Sequence, residues 1–505
     1  MDQHSFLSFT ETLRIFQISF GVVILFCVAE LTRRRFYFSS EFTRKFIHLS
    51  VGVFIFFAPQ IFERKTPILV LSALFIFVDI LAYRRRWIAA VHGTARNSFG
   101  TVFYPLSLFV LTFLLWDRSP VIVVASMMPM VFGDAIAGIT GELLPKPHSY
   151  RLTSDTKSIE GSIAMFVGSV LALSGTAFYY HQTKLDQIIF SSEPLWLLLI
   201  VFASISLFAT CWEAISSRGL DNVTIPLATA FALYFCFYPE AHGEKSLFLL
   251  ATGISFLLAI VSHKFRLLNL SGASAMFLLA VIVFSVGSLG WTLPILSFFL
   301  LSSALSKVNS TAKRSAKSIT EKGSERDWLQ VLANGGIAGG IVLIYFIDRN
   351  PIWYAVFTAA VAASTADTWS TEIGMLSRKE PVNLITFKHE PAGTSGAVTL
   401  VGVLGGILGA LVIGVISFFF STGFAFATWI AVIVLSSFAG CLIDSLVGAT
   451  LQARFECVVC NKQTEQRHHC QTATQLVRGF RWMDNDVVNI LCSITGAGIA
   501  FLFMM

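Results

Sequence analysis

Long apolar runs separated by short polar loops dominate the chain. The first starts near Ile15, and similar runs recur to the last residues. A helix crossing a bilayer needs roughly 20 mostly apolar residues, and about sixteen stretches meet that measure. Two stretches are ambiguous: Leu268–Leu305 reads as one span or two, and Trp353–Ala366 is short. The pattern predicts an all-α, polytopic transmembrane protein of about 14–16 helices. No soluble domain stands out. The longest polar stretches are Lys307–Asp327, Asp367–Ser395 and Gln452–Asp486.

Composition agrees with this pattern. Of 505 residues, 55% are hydrophobic and 13% are charged. The mean hydropathy is +0.72. A soluble protein cannot hide that much apolar surface. The net charge of +6 is spread over short loops, which argues against nucleic-acid binding. Basic bursts occupy every second loop: Arg33–Arg35, Arg84–Arg86, Lys146–Lys157, Lys264–Arg266, Lys307–Arg326, Arg378–Lys388 and Lys462–Arg481. That bias places these loops in the cytoplasm and both termini outside, with an even number of spans. Met1–Glu11 is polar and carries two acids, so no cleavable signal peptide is expected.

Polar residues repeat in the same order in two halves, divided near Tyr238–Lys245 into 1–242 and 243–505. Asp134 ends an apolar run and precedes Gly138 and Gly141. Asp367 ends another and precedes Glu372 and Gly374. A loop closing on small residues follows in each: Lys157-Ser158-Ile-Glu160-Gly161-Ser162, and Gly393-Thr394-Ser395-Gly396. The next span returns at Glu213 or Asp444. The pairs Asp221-Asn222 and Asp484-Asn485 open the last spans. This order predicts two parallel tandem repeats.

The repeated residues suit phosphate chemistry. Asp134 and Asp367 are expected at helix ends on the bilayer boundary, where an acid is costly and marks a functional site. Asp134 and Asp367 could each hold Mg2+, which binds nucleotide phosphates. Glycines let phosphate oxygens approach the backbone. Ser158–Ser162 and Thr394–Ala397 are expected at the first turn of a helix, where free N–H groups bind anions. Lys157 adds a point charge. Gly402, Gly405, Gly406 and Gly409 are expected to pack helices closely.

Among the eight cysteines, five lie in or beside apolar runs and behave as small apolar residues. Cys457, Cys460, His469 and Cys470 instead share a polar loop and offer a tetrahedral Zn2+ site. The first half has no counterpart.

The first half resembles the CTP-dependent lipid kinases that include dolichol kinase and phytol kinase. The resemblance rests on Arg44-Lys45-x-x-His48, Asn97-Ser-Phe-Gly100, Gly133-Asp134 with Gly138 and Gly141, Lys157–Ser162, and Gly219-Leu-Asp221-Asn222 with Pro226. The second half is similar to the membrane family containing phytyl-phosphate kinases. It shares Gln330–Gly336 with Asn334, Asp367–Gly374, Gly393–Val398, Gly448–Arg454 and Asp484–Asn489. The resemblance implies a natural fusion of two kinases. The first would phosphorylate an isoprenoid alcohol such as phytol or geranylgeraniol, and the second would convert the monophosphate to the diphosphate, with CTP or another nucleotide as donor. An alcohol acceptor benefits from a base, for which Asp134, Glu160, His48 and Glu213 are candidates. A phosphate acceptor needs cations instead, which Arg326, Arg378, Lys388 and His389 could supply. The second half has no clear equivalents of Lys157 and Glu160. The sites are expected on the cytoplasmic face. Two other readings fit parts of the pattern, a phospholipid cytidylyltransferase and a transporter built on a parallel repeat.

Overall fold

The computed structural model describes residues 7–37, 40–85, 99–183, 185, 193–238, 243–308, 325–391 and 393–505. Arg86, Asn97 and the basic residues within 309–324 lie outside the described residues. Two compact units form, Met1–Thr252 and Gly253–Met505. The division falls inside a helix and not in a polar loop.

The first unit begins with α1 (Phe9–Phe36), α2 (Ser40–Ile61), α3 (Thr66–Arg85) and α4 (Gly100–Leu115). Ser8 and Glu11 cap α1 reciprocally. The central rod is α5 (Pro120–Leu143). Ser119 caps its start by accepting from Ile122 N at 3.1 Å. Val123, Val124, Met127 and Met128 are fully buried. Pro129 cannot donate a backbone hydrogen bond, and the rod widens into a π turn over Pro129–Asp134 before resuming as an α-helix. Asp134 therefore lies inside a rod. The apolar run stops there, but the helix does not, which corrects the expectation of an acid at a helix end.

A two-stranded antiparallel hairpin follows, β1 (Ser149–Arg151) and β2 (Thr156–Ser158). Then come α6 (Ile159–Thr183), α7 (Leu195–Ile215), α8 (Asp221–Phe237) and α9 (Lys245–Lys264), in which the unit division falls.

The second unit opens its helical core with α10 (Leu270–Lys307). Ser288 has φ +52° and ψ −152°, so the ambiguous stretch is one element broken in two. Next are α11 (Trp328–Asp348) and α12 (Ile352–Gly374). The short apolar run was only part of α12: the helix continues through Asp367 and Glu372. Its residues from Tyr354 to Ala366 are buried, with mostly alanine, serine and threonine between the larger side chains. The hairpin β3 (Val382–Asn383) and β4 (Ala397–Val398) leads to α13 (Leu400–Phe418) and α14 (Phe426–Thr450).

A small sheet with the order β6-β5-β9 follows: β5 (Arg454–Glu456), β6 (Gln463–Thr464) and β9 (Gln475–Arg478). Between β6 and β9 sits the hairpin β7 (His468–His469) and β8 (Thr472–Ala473). The last helix is α15 (Asn485–Met504).

Among the described residues, eleven helices are long and apolar enough to cross a membrane, and α3, α4 and α8 carry shorter apolar stretches. The protein is a helical, polytopic membrane protein. Within each unit the elements share one order: an acid-bearing helix, a two-stranded hairpin, then three helices. The second unit adds the small sheet before the last of them.

Gly402, Gly405, Gly406 and Gly409 line the face of α13 that meets α12. A methyl added at Gly402 would lie 2.7 Å from Ser370 O, and one at Gly406 would lie 2.9 Å from Ala366 O. Small residues here allow two backbones to touch, as expected.

Candidate functional site

In the first unit, residues far apart in sequence converge around Asp134. Lys45, Lys157, Arg44 and His48 all lie within its electrostatic reach. Lys45 Nζ donates to Asp134 O at 3.1 Å. Gly138, one turn further on, makes this possible: a methyl there would sit 1.5 Å from Lys45 Nζ. From the β1–β2 hairpin, Lys157 pairs with Glu213 at the end of α7. Both side chains are almost buried, at 14% and 8% exposure, which makes the pairing obligatory. Burial alone would depress the Lys157 ammonium. The carboxylates of Glu213, Asp221 and Asp134 outweigh it and hold the lysine above its ordinary range. Asp221, at the start of α8, completes the group.

The remaining candidates of this half do other things. Glu160 accepts from His148 N at 3.1 Å and pairs with its ring at 2.6 Å, which clamps the hairpin. Ser158 Oγ accepts from Gly161 N at 3.1 Å and so starts α6, as expected for that loop. Ser162 Oγ meets Tyr150 OH at 2.6 Å. Asn222 is buried, and its amide donates to Gly100 O at 3.2 Å. Gly133 serves packing: a methyl there would lie 2.6 Å from Ser169 Oγ on α6. Gly141 lies beside the hairpin, where a methyl would approach Ser158 Oγ at 3.4 Å.

His48 also lines a second feature. A cavity partly open to the outside lies among α1, α2, α3 and α4. Phe26, Val51, Phe54, Phe75 and Leu108 give it apolar walls, while Arg44, His48, Asp79 and Tyr104 supply its polar groups. The Tyr104 ring lies 4.7 Å from that of His48, and its hydroxyl donates to His48 O at 3.2 Å. Asp79 was missed in the sequence reading. Its signal was available, because an acid inside the apolar run Thr66–Ala82 is an intramembrane charge.

In the second unit Asp367 of α12 and Asp444 of α14 meet side chain to side chain. Asp444 Oδ2 is buried and has no hydrogen-bond partner among the described residues. Glu465, from the connection between β6 and β7, acts on Asp444. It accepts from Ser395 Oγ and, at 3.2 Å, from Gln452 Nε2. The Gly393–Gly396 loop is thereby tied to the centre.

Gly396 has φ +81°, and a methyl there would meet Ala449 N at 2.3 Å, so only glycine fits. The expectation that Thr394–Ala397 opens a helix is corrected. Gly393 and Gly396 both have left-handed backbone, and α13 starts at Leu400, capped by Thr399 accepting from Gly402 N at 3.0 Å. Arg454 Nη2 reaches Thr394 Oγ1 and Glu390 Oε2, each at 3.4 Å. Arg478 donates to Gly448 O at 2.9 Å.

Other second-half candidates fall elsewhere. Glu372 accepts from Ser306 at 2.6 Å and faces Arg326. Asn334 is held by Gln330 O at 2.9 Å. Gly374 packs near Thr399. Asp484 caps α15 by accepting from Val487 N, while Asn485 is exposed. The buried acid of that helix start is Asp486, one residue past the expected pair. Arg378, Lys388 and His389 are exposed. Arg454 closes the Gly448–Arg454 motif; Glu465 and Arg478 were not singled out by the sequence, because they lie 70 and 82 residues beyond Ser395 and Gly396.

Cys457, Cys460, His469 and Cys470 come together, with donor atoms all within 4.8 Å of one another.

The family model described as integral membrane protein DUF92 matches residues 253–497. The chain is 34% identical over 261 residues to Protein PGR of Arabidopsis thaliana, which covers 47% of this chain and 89% of that protein. It is 26% identical to a phytol kinase of Synechocystis sp. over 42% of this chain and 84% of the relative. It is also 28% identical to Protein VTE6, chloroplastic, of Arabidopsis thaliana, over 46% of this chain and 65% of the relative. No solved structure matches the chain. Through residues 253–497 the chain belongs to the integral membrane protein family DUF92.

Proposed function

We propose that the protein is a membrane kinase of isoprenoid substrates. The first unit phosphorylates an isoprenoid alcohol, and the second phosphorylates the resulting monophosphate to the diphosphate. CTP or another nucleoside triphosphate is the donor. Likeness to a protein named phytol kinase supports the substrate class. The observation that carries the reading is the first unit's cavity, because Arg44 and His48 belong both to its lining and to the Asp134 group.

An apolar tail fits such a cavity, and a hydroxyl head is drawn to its polar groups. In the transfer the alcohol oxygen attacks the donor's terminal phosphorus. The bond to the bridging oxygen breaks, the nucleoside diphosphate leaves, and the alcohol proton passes to a base. His48 and Asp79 line the space where that proton is released. Arg44, Lys45 and Lys157 offset the phosphate charge, so catalysis is mostly positioning and neutralisation.

A phosphate acceptor is already anionic and needs no strong base. Arg454 and Arg478, near the Gly393–Gly396 loop, take the corresponding electrostatic role in the second unit. The buried, partnerless Asp444 oxygen fits a bound divalent cation, with Asp367 and Asp444 as its holders in one unit and Asp134 and Asp221 in the other. Mg2+ there would supply further neutralisation of phosphate charge. Both centres adjoin basic loops, which supports a cytoplasmic position where nucleotide is available.

The test is product analysis. Purified protein in detergent is given phytol or geranylgeraniol with labelled CTP or ATP. Mono- and diphosphate are expected. Asp134→Asn should stop both products from alcohol but not the second step from added monophosphate, and Asp367→Asn should let monophosphate accumulate. A CDP-linked product with pyrophosphate, or both activities surviving in both variants, would overturn the proposal.

A further inference from the structure

The polar loop after α14 has no counterpart in the first unit, and the centres described above do not use its sulfur ligands. It folds as two tight turns facing each other. In the first, Cys457 follows β5, Asn461 N donates back to Cys457 O at 2.9 Å, and Cys457 N donates to Lys462 O at 3.0 Å. The backbone N–H groups of Cys460 and Val459 point at Cys457 Sγ. Asn461 has left-handed backbone, φ +54°. In the second turn, between β7 and β8, Cys470 and Gln471 are left-handed as well, at +52° and +61°. Three non-glycine residues in this conformation, all in one short loop, persist only where something else fixes the backbone.

The donor spacing matches that of a tetrahedral metal ion. Tetrahedral zinc with Zn–S bonds of about 2.3 Å and Zn–N bonds of about 2.0 Å sets its ligands apart by about 3.8 Å for two sulfurs and about 3.5 Å for sulfur and nitrogen. Here Cys460 Sγ and Cys470 Sγ are 3.9 Å apart. His469 Nδ1 lies 3.5 Å from Cys460 Sγ and 3.3 Å from Cys470 Sγ. Cys457 closes the set from the buried side. All the cysteines are free, and a sulfur separation of 3.9 Å is far from the roughly 2.05 Å of a disulfide.

We propose that Cys457, Cys460, His469 and Cys470 bind one Zn2+ in a closed, structural site. Four protein ligands leave no open position, so the ion's work is folding and not chemistry. Three thiolates and one Zn2+ carry a net single negative charge, and Lys462 lies two residues beyond Cys460 in the same loop. The two ligand pairs flank β6 and the connection that carries Glu465. The metal thereby fixes the residue that holds Ser395 and Gln452, in a loop too small to have a core of its own.

The test uses full-length protein in detergent. Metal analysis is expected to find about one zinc per chain. Exchange for Co2+ should give thiolate-to-cobalt charge-transfer bands and the visible absorption of a tetrahedral ion. The double variant Cys457→Ser/Cys470→Ser should lose the zinc and become cleavable by protease between Cys457 and Thr472. Should that variant fail to fold, X-ray absorption on the wild-type protein decides: a shell of three sulfurs and one nitrogen supports the site, and any other shell overturns it. Protein purified without zinc and unable to take up Co2+, or a disulfide between Cys460 and Cys470 found by mass spectrometry, would also overturn it.

Discussion

Glu213, buried, and Asp134, half-buried, lie among cations in the first unit: Lys157 pairs with Glu213, and Lys45 and Arg44 act on Asp134. Asp367 and Asp444 in the second unit face each other, and the charged groups acting on them, among the described residues, are carboxylates. Charge in the first centre is balanced by the protein itself. In the second, two carboxylates in contact are stable only with a proton or a bound cation between them. The first centre therefore carries counter-charges among its own side chains, and the second lacks them.

The largest expected effect breaks the first centre. Lys157→Met leaves Glu213 buried without its partner and should cost about 3–5 kcal/mol. The measurement is the thermal midpoint in detergent. Adding Glu213→Gln to that variant should recover most of the loss. Failure of the double variant to recover would mean that the pair is not the source of the cost.

Next is Gly396→Ala, which forces a methyl into the Ala449 backbone at left-handed φ. It should destabilise the second unit by about 1–3 kcal/mol. A neutral result would show that the loop does not sit against α14.

A smaller and opposite effect sharpens the contrast. Asp367→Asn or Asp444→Asn removes one of two facing carboxylates, so the thermal midpoint should stay level or rise, even as second-step activity disappears. A midpoint falling as far as in Lys157→Met would erase the distinction between the centres.

Gly138→Ala crowds only the flexible end of Lys45. Stability should hold, while first-step activity falls by about tenfold as one charge-assisted contact is lost. Glu160→Gln comes last: a clamp on His148 outside the network should leave first-step activity within about twofold of wild type. Loss of that activity would return Glu160 to the list of candidate bases.

Most of the helical frame was legible because lipid demands long apolar runs, and those runs are visible as written. The sequence misled where polarity and helix geometry part company. Asp134 and Asp367 ended apolar runs but not helices, since a π turn carries one rod on and the acids of α12 are absorbed by its neighbours. At the sites, Asp134, Lys157, Glu213, Asp221, Arg44, Lys45 and His48 were marked and do converge. Glu465 and Arg478 were illegible, because only the folding of the small sheet brings them to the Gly393–Gly396 loop. Asp79 was readable as an intramembrane acid, but it had no partner nearby in sequence to draw attention to it.

The glycine face of α13 has a consequence for motion. Where Gly402 and Gly406 lie on the Ser370 and Ala366 backbone, no side chain is interposed that could change rotamer to let the helices slide. The two helices behave as a single plank. Motion near the second centre is then left to elements other than these two helices, while Asp367 stays fixed in place.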